Sequence, residues 1–112
     1  MNTKPPASRV LVTGSAGRIG RAIWIALARA GHAVRGLDAT PASTVEHVVD
    51  LREHRALAAA CAGVDAIVHT AALHAPHVGV RSDADFRAIN VDATRALLDA
   101  AAAAGVRRIV YT

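Results

Sequence analysis

The sequence contains little cysteine and no long apolar run, and each shortage excludes a class of protein. The single Cys61 excludes an internal disulfide bond. No run of about 18 apolar residues exists, so we expect no transmembrane helix and no membrane partner. The first residues, Met-Asn-Thr-Lys-Pro-Pro, lack the apolar segment that signal peptides need. Together these features predict a soluble cytoplasmic protein.

Aromatic residues and lysine are also scarce. The chain has one each of Phe, Trp and Tyr, and Lys4 is the only lysine among 13 basic residues, so the other 12 are arginine. The net charge is +4, but the arginines are scattered along the sequence. Nucleic-acid binders usually gather basic residues into a patch, often with stacking aromatics. We therefore expect no nucleic-acid partner.

A single domain is the expected organisation of residues 1–112. The chain is 53% apolar, which suffices for one modest core but not for two. Runs rich in Val and Ile predict five strands, at 9–13, 33–37, 45–49, 66–70 and 108–112. Apolar residues at helical spacing predict helices between them, at about 19–30, 53–61 and 83–104. This alternation, with nearly continuous apolar strands, predicts an α/β fold with a parallel sheet.

Three glycines stand where the first predicted strand meets the first predicted helix. Gly14, Gly17 and Gly20 recur at three-residue steps. A helix N-terminus attracts phosphate through its unpaired N–H groups and its dipole, and side chains there would keep the phosphate out. Gly14 suits a tight turn, Gly17 the close approach of a pyrophosphate, and Gly20 close packing of helix on strand. A glycine-rich turn that only joins strand to helix is the alternative.

An acidic residue completes the pattern of a dinucleotide site. Asp38 ends the second predicted strand, 18 residues beyond Gly20, and a carboxylate there accepts hydrogen bonds from the adenosine ribose. The same charge repels a 2′-phosphate, so the sequence favours NAD over NADP as the cofactor. Arg18 and Arg35 keep NADP open as the less favoured cofactor. An ordinary loop role for Asp38 is the simpler alternative.

Four segments carry a family resemblance: TGSAGRIG (13–20), VVDL (48–51), VHTAAL (68–73) and INVDATRALLDAAAAAGVRRIVYT (89–112). Together they resemble the extended short-chain dehydrogenase/reductase family, in particular its NAD-dependent epimerase/dehydratase branch. The resemblance implies a Rossmann-type, doubly wound parallel sheet of five strands in the order 3-2-1-4-5. It also implies a set of cofactor-binding residues along these segments. They are Gly14, Ser15, Ala16, Gly17, Arg18, Ile19, Gly20, Asp38, Asp50, Leu51, Thr70, Ala71, Ala72 and Asn90.

The chemistry of that family depends on residues that this sequence does not contain. The family uses a Ser or Thr and a Tyr-x-x-x-Lys pair beyond the fifth strand, whereas Tyr111 is the only tyrosine here and no lysine follows it. We therefore expect no catalytic residue among the 112. The resemblance implies the NAD-binding part of an oxidoreductase for a sugar nucleotide or a similar hydroxyl or carbonyl substrate, bound only in a longer chain. The alternative is a dinucleotide-binding module without catalysis.

Histidines cluster near the fourth predicted strand, but they do not predict a metal site. His69, His74 and His77 lack the Cys or carboxylate ligands that zinc sites usually add at tight spacing. His69 also falls within a strand that we expect to be buried. We therefore expect no metal ion.

The helix predicted at 83–104 has two faces with different roles. Asn90 lies on its core-facing stripe, where we expect the amide to support the site by bonding nearby backbone. A second, weakly apolar stripe contains Val91, Leu98 and Ala102, and Trp24 lies off the core-facing stripe of the first helix. Exposed apolar surface of this kind predicts a homo-oligomer.

Overall fold

The computed structural model describes residues 7–71 and 82–112, which alternate between strands and helices. The strands are β1 (Arg9–Thr13), β2 (Ala33–Asp38), β3 (His47–Val48), β4 (Ala66–His69) and β5 (Arg108–Tyr111). The helices are α1 (Arg18–Arg29), α2 (His54–Cys61), α3 (Asp83–Arg87) and α4 (Ala93–Ala104). A π-helical turn (Ala88–Asp92) joins α3 to α4. The predicted α/β alternation is confirmed.

The five strands form one parallel sheet in the order β3-β2-β1-β4-β5. β1 lies at the centre and pairs with β2 on one side and with β4 on the other. The chain moves outward from β1 to β3 and then crosses to the other side for β4. This confirms the strand order that the family resemblance implies. In such sheets, ligands bind at the carboxyl ends of the strands where the order reverses, which here is the end of β1.

The third strand is shorter than predicted. The run 45–49 predicts five residues, but only His47 and Val48 pair with β2. The amide N–H of Val45 donates instead to the carbonyl of Ala42, 3.1 Å away, and closes a turn. At their carboxyl ends, β2 is one residue longer than predicted, and β4 and β5 are each one residue shorter.

The connection between β2 and β3 passes close over Gly36. A Cβ atom at Gly36 would overlap the carbonyl oxygen of Thr44 and the hydroxyl of Ser15. Glu46 ties this connection to the strand, since its carboxylate accepts the amide N–H of Gly36 and, at 3.3 Å, the indole N–H of Trp24. The fold therefore requires glycine at position 36, which no sequence motif indicates.

The main hydrophobic core lies between the sheet and the helices α2 and α4. Strand and helix residues contribute to it alike. Members with at most 1% exposure include Leu11, Leu37, Leu57, Cys61, Ile67 and Leu97. Full burial of such an aliphatic side chain contributes about 1.5–3 kcal/mol, so this layer is a large part of what stabilises the sheet. Burial also raises the pKa of the Cys61 thiol.

The helix predicted at 83–104 forms with one irregular turn. Its start is capped by Ser82, whose Oγ accepts the amide N–H of Asp85 at 3.1 Å, and Gly105 ends it with a left-handed φ of 77°. Between these ends, the residues Ala88–Asp92 are π-helical. A π turn adds one residue to the helical path and is frequent at functional sites. The apolar pattern continues through this turn, so periodicity alone does not reveal it.

Several apolar side chains lie outside the core. Val91 and Leu98 of the predicted second stripe are 49% and 46% exposed, and Val110 of β5 is 46% exposed. Trp24 is half-buried beside Glu46. Self-association through these residues stays a prediction. Across the part of the chain that the structure describes, no helix has the length and apolar character needed to span a bilayer.

Candidate functional site

The glycine loop leaves β1 in a tight turn that begins at Gly14. Gly14 adopts a φ of 72°, in the left-handed region that favours glycine. Its N–H donates to the carbonyl of Leu37 at 2.7 Å, and its own carbonyl accepts the N–H of Gly17 at 3.0 Å. A Cβ atom at Gly14 would also lie 2.6 Å from Thr70 Oγ1. The turn therefore needs glycine here for both conformation and space.

The other two glycines of the loop differ in what surrounds them. Gly20 is buried in the first turn of α1, and a Cβ atom there would overlap the carbonyl oxygen of Gly14. Gly17 is exposed and has an ordinary φ of −76°. Among the described residues, its Cβ would approach only the Gly14 oxygen, at 3.2 Å. The fold therefore requires glycine at positions 14 and 20, whereas at Gly17 a Cβ would make one tight contact and the exposed backbone suits a ligand that approaches it.

The N-terminus of α1 concentrates positive charge. Arg18 and Arg21 lie in its first turn, which contains no acidic residue, and the N-cap residue Gly17 has no side chain to bond the first amides. The N–H groups of Arg18, Ile19 and Gly20 have no intrahelical carbonyl to bind. Because the positive end of the helix dipole is also here, the site favours an anion. The residues present therefore fit the pyrophosphate of a dinucleotide.

Asp38 lies at the end of β2, against the glycine loop. Its Oδ2 accepts the amide N–H of Ala16 at 3.0 Å, and its Oδ1 accepts that of Thr40 at 2.9 Å. Ser15 is fully buried beneath the loop, and its carbonyl accepts the hydroxyl of Thr44 at 2.5 Å. The loop is therefore tied to β2 and to the connection that follows β2. A carboxylate can accept about four hydrogen bonds, so Asp38 keeps capacity for ribose hydroxyls.

Arg35 points away from this edge of the sheet. Its guanidinium donates to the carbonyl of Ala62 at 2.7 Å, at the C-terminal end of α2. That end leads into the start of β4, at the amino edge of the sheet, whereas Asp38 ends β2 at the carboxyl edge. The structure therefore removes Arg35 as a candidate for binding a 2′-phosphate and leaves Arg18 as the exposed arginine of the loop.

The two predicted residues that follow β3 have different environments. Leu51 is 7% exposed and packs in the core. The carboxylate of Asp50 is bound by Arg52, with Nη2 2.6 Å from Oδ2 and Nε 3.0 Å from Oδ1. Arg52 also reaches Asp85 of α3 at 3.4 Å. Its hydrogen bonds with Asp50 and the charge of that carboxylate raise the pKa of Arg52. Sequence reasoning missed Arg52, whose only signal is its position two residues after Asp50.

A buried polar network surrounds His69 at the end of β4. Its Nδ1 lies 2.6 Å from the hydroxyl of Thr13, and its Nε2 lies 3.1 Å from that of Thr94. Thr13 Oγ1 also accepts the amide N–H groups of Thr70 and Ala71, at 3.1 and 3.3 Å. Burial lowers the pKa of His69, so the neutral ring is favoured. The sequence places His69 in a buried strand but does not indicate this network.

The structure describes only some of the remaining predicted residues. Asn90 lies half-buried in the π turn between α3 and α4. Ala72, His74 and His77 lie outside the described residues. Within ranges 7–71 and 82–112, no group of three or more His, Cys, Asp or Glu side chains could hold a metal ion.

Residues 10–112 match the NAD dependent epimerase/dehydratase family. The chain belongs to this family. A family relative, the 3-beta-hydroxysteroid dehydrogenase of Mycolicibacterium neoaurum, is 37% identical over 114 residues, which cover 93% of this chain and 31% of that protein. The 3 beta-hydroxysteroid dehydrogenase/Delta 5→4-isomerase of Mycobacterium tuberculosis strain H37Rv is 39% identical, with the same two shares. The chain thus spans about a third of the length of these curated relatives.

Solved structures of similar fold contain NAD. A short-chain dehydrogenase/reductase superfamily protein from Agrobacterium tumefaciens with bound NAD is 45% identical, with a TM-score of 0.80 over 92% of this chain and 31% of its own. UDP-glucose-4-epimerase from Stenotrophomonas maltophila, with bound NAD and formylated UDP-arabinopyranose, is 30% identical. Its TM-score is 0.81 over 93% of this chain and 36% of its own. The Rossmann-type fold predicted from the sequence is therefore confirmed.

The different surroundings of the loop glycines lead to a stability prediction. Gly20→Ala should lower the free energy of unfolding by roughly 1–3 kcal/mol, because the added methyl group must displace the Gly14 carbonyl. Gly17→Ala, the matched control on the same loop, should lower it by less, because its Cβ would lie 3.2 Å from the same carbonyl oxygen rather than overlap it. Urea denaturation followed by circular dichroism measures both. Equal losses for the two variants would contradict the assignment of Gly20 to close packing and of Gly17 to the exposed surface of the loop.

The lowered pKa of His69 gives a second prediction. The unfolded chain takes up this proton at a higher pH than the folded chain, so the free energy of unfolding should decrease as the pH falls below ~6.5 and should not depend on this group above that value. His69→Gln should reduce this acid loss, whereas His54→Gln, at an exposed histidine, should retain it. Denaturant unfolding at about pH 7.5 and 5.5 tests the difference. An unchanged acid loss in His69→Gln would contradict the prediction.

Proposed function

We propose that this chain is the NAD-binding part of an epimerase/dehydratase-family oxidoreductase. The observation that carries the proposal is the exposed backbone at Gly17, next to a helix N-terminus that has two arginines and no acidic residue in its first turn. Neither the exposure of Gly17 nor its ordinary φ requires glycine, but a pyrophosphate that contacts the loop backbone does. Family membership and the NAD-containing structures of similar fold support the same cofactor.

Different residues would contact different parts of the dinucleotide. The first-turn amides of Arg18 and Ile19 would hold the pyrophosphate, and Arg18 would add positive charge. Asp38, fixed beside the loop by the N–H of Ala16, would accept the adenosine ribose hydroxyls and disfavour NADP. The remaining contacts follow from the family resemblance. They are Asp50 and Leu51 at the adenine, and Thr70, Ala71, Ala72 and Asn90 at the ribose and phosphate side.

The proposed reaction moves a hydride between the substrate and the nicotinamide, and the cofactor supplies that chemistry when bound. The residues of this chain bind and orient the dinucleotide. We assign no catalytic acid or base to residues 1–112, because the family resemblance places the Ser or Thr and the Tyr-x-x-x-Lys pair beyond the fifth strand. The substrate class is a hydroxyl or carbonyl compound, since the relatives are named as hydroxysteroid dehydrogenases and one similar structure is a UDP-glucose epimerase. A sugar nucleotide is the class that we favour.

Substitution of Gly17 tests the cofactor site directly. Wild-type chain should bind NAD in calorimetric titration, and Gly17→Val should abolish that binding, because a branched side chain would occupy the space of the pyrophosphate. Ala58→Val introduces the same side chain on the exposed face of α2 and should bind like wild type. Circular dichroism shows whether each variant is folded. Equal NAD affinity in Gly17→Val and wild type would remove the phosphate loop from the proposal.

A charge substitution tests the preference for NAD over NADP. Asp38→Asn keeps an oxygen that can accept the Ala16 N–H, but it loses the negative charge and the acceptor for the Thr40 N–H. It should weaken NAD binding relative to NADP by roughly 1–3 kcal/mol, the contribution of a hydrogen bond to a charged group. Asp65→Asn is the matched control, because Asp65 accepts the N–H of Arg9 at the opposite edge of the sheet. A wild-type preference for NADP would contradict this role and favour Arg18 as the determinant.

A further inference from the structure

The hydroxyl of Thr13 is the centre of the network at the end of β4. Thr13 is fully buried, directly before the glycine loop. Three groups lie within hydrogen-bond distance of its Oγ1: the amide N–H of Thr70 at 3.1 Å, that of Ala71 at 3.3 Å, and His69 Nδ1 at 2.6 Å. The two amides are obligatory donors, so only the imidazole can accept.

The hydrogen bonds of this hydroxyl determine the tautomer of His69. A threonine hydroxyl has two lone pairs and one proton. The N–H groups of Thr70 and Ala71 use both lone pairs, so the Thr13 proton must go to Nδ1 of His69. Nδ1 is then unprotonated, and the neutral ring carries its proton on Nε2, which donates to Thr94 Oγ1 at 3.1 Å. A proton on Nδ1 would face an oxygen that has no lone pair left.

The same network holds the end of β4 against the glycine loop. Thr70 Oγ1 donates to the carbonyl of Thr13 at 2.6 Å, and a Cβ atom at Gly14 would lie 2.8 Å from the amide nitrogen of Ala71. His69 connects this contact to α4 through Thr94. The His69 imidazole thus connects the amides that follow β4, and the glycine loop beside them, to α4.

We propose that His69, as the Nε2–H tautomer, is a positioning residue for the dinucleotide site. By accepting the Thr13 proton it leaves the lone pairs of Thr13 free for Thr70 and Ala71, and so fixes those two residues beside the phosphate loop. Without this acceptor, the Thr13 proton has to point toward one of the two amide protons. The hydrogen bond from that amide to Thr13 Oγ1 is then lost, and the end of β4 loses its fixed position. The inference rests on the proposed function, since it concerns the same site, but its first test needs no dinucleotide.

That first test is the tautomer itself. Long-range ¹H–¹⁵N correlation spectra of the ¹⁵N-histidine-labelled chain at neutral pH should show His69 with an unprotonated Nδ1 and a protonated Nε2. The His69→Gln spectrum identifies the signals. In Thr13→Val the donor to Nδ1 is absent, and the preference for this tautomer should weaken. A His69 ring that carries its proton on Nδ1, or on both nitrogens, overturns the proposal.

The second test is NAD affinity in variants that keep or remove the hydroxyl. Thr13→Ser retains it and should bind NAD like wild type, whereas Thr13→Val has nearly the same shape without it and should bind roughly five- to tenfold more weakly. His69→Leu, which offers no acceptor to the Thr13 proton, should weaken binding similarly. If His69→Leu does not fold, Thr94→Val removes only the Nε2 acceptor and should weaken NAD binding in the same direction. Circular dichroism monitors folding throughout.

The outcomes separate the two proposals. Weaker binding in Thr13→Val and in the folded His69 or Thr94 variant, with recovery in Thr13→Ser, supports the positioning role. Wild-type affinity in the folded His69 or Thr94 variant overturns the positioning role and leaves the proposed function intact. A wild-type chain that binds no NAD, whatever its tautomer, overturns the proposed function and the positioning role with it.

Discussion

The carbonyl of Gly14 is the constraint on which the candidate site depends. It accepts the N–H of Gly17 and occupies the space where a side chain at Gly20 would begin. Both contacts together set how closely α1 starts behind β1. With any larger residue at position 20, the helix would have to start farther from the strand. Its first amides would then no longer lie beside the carboxyl edge of the sheet, where a parallel sheet of this order presents its ligand site.

The loop is held from both neighbours of the central strand. On the β2 side, the carboxylate of Asp38 accepts the N–H of Ala16. On the β4 side, the hydroxyl of Thr13 accepts the amides that follow His69. Both attachments use backbone N–H groups, so they position main chain rather than flexible side chains. A site built in this way is preorganised, because little conformational freedom remains to be lost when a ligand binds.

Much of the fold is predictable from the sequence, because strand runs, helix periodicity and the glycine pattern are local signals. Such local signals identify four candidate site residues: Gly14, Gly17, Gly20 and Asp38. The less predictable features depend on contacts between distant residues: Gly36 is required by Thr44 across the β2–β3 connection, and the short β3 follows from the turn at Val45. Arg52 and His69 are similar cases. Their partners Asp85 and Thr94 come from the helical segment beyond β4, and no local pattern indicates such pairs.

The π turn at Ala88–Asp92 sets the rotational phase between α3 and α4. Each residue of an α-helix turns the chain by about 100°. The extra residue of a π turn therefore rotates the side chains of α3 about the helix axis by that angle, relative to their positions in a regular helix. Deletion of one residue within the turn would restore a continuous α-helix while α4 kept its place in the core. It would rotate Asp85 away from Arg52. The ion pair that joins the end of β3 to α3 thus depends on a single inserted residue.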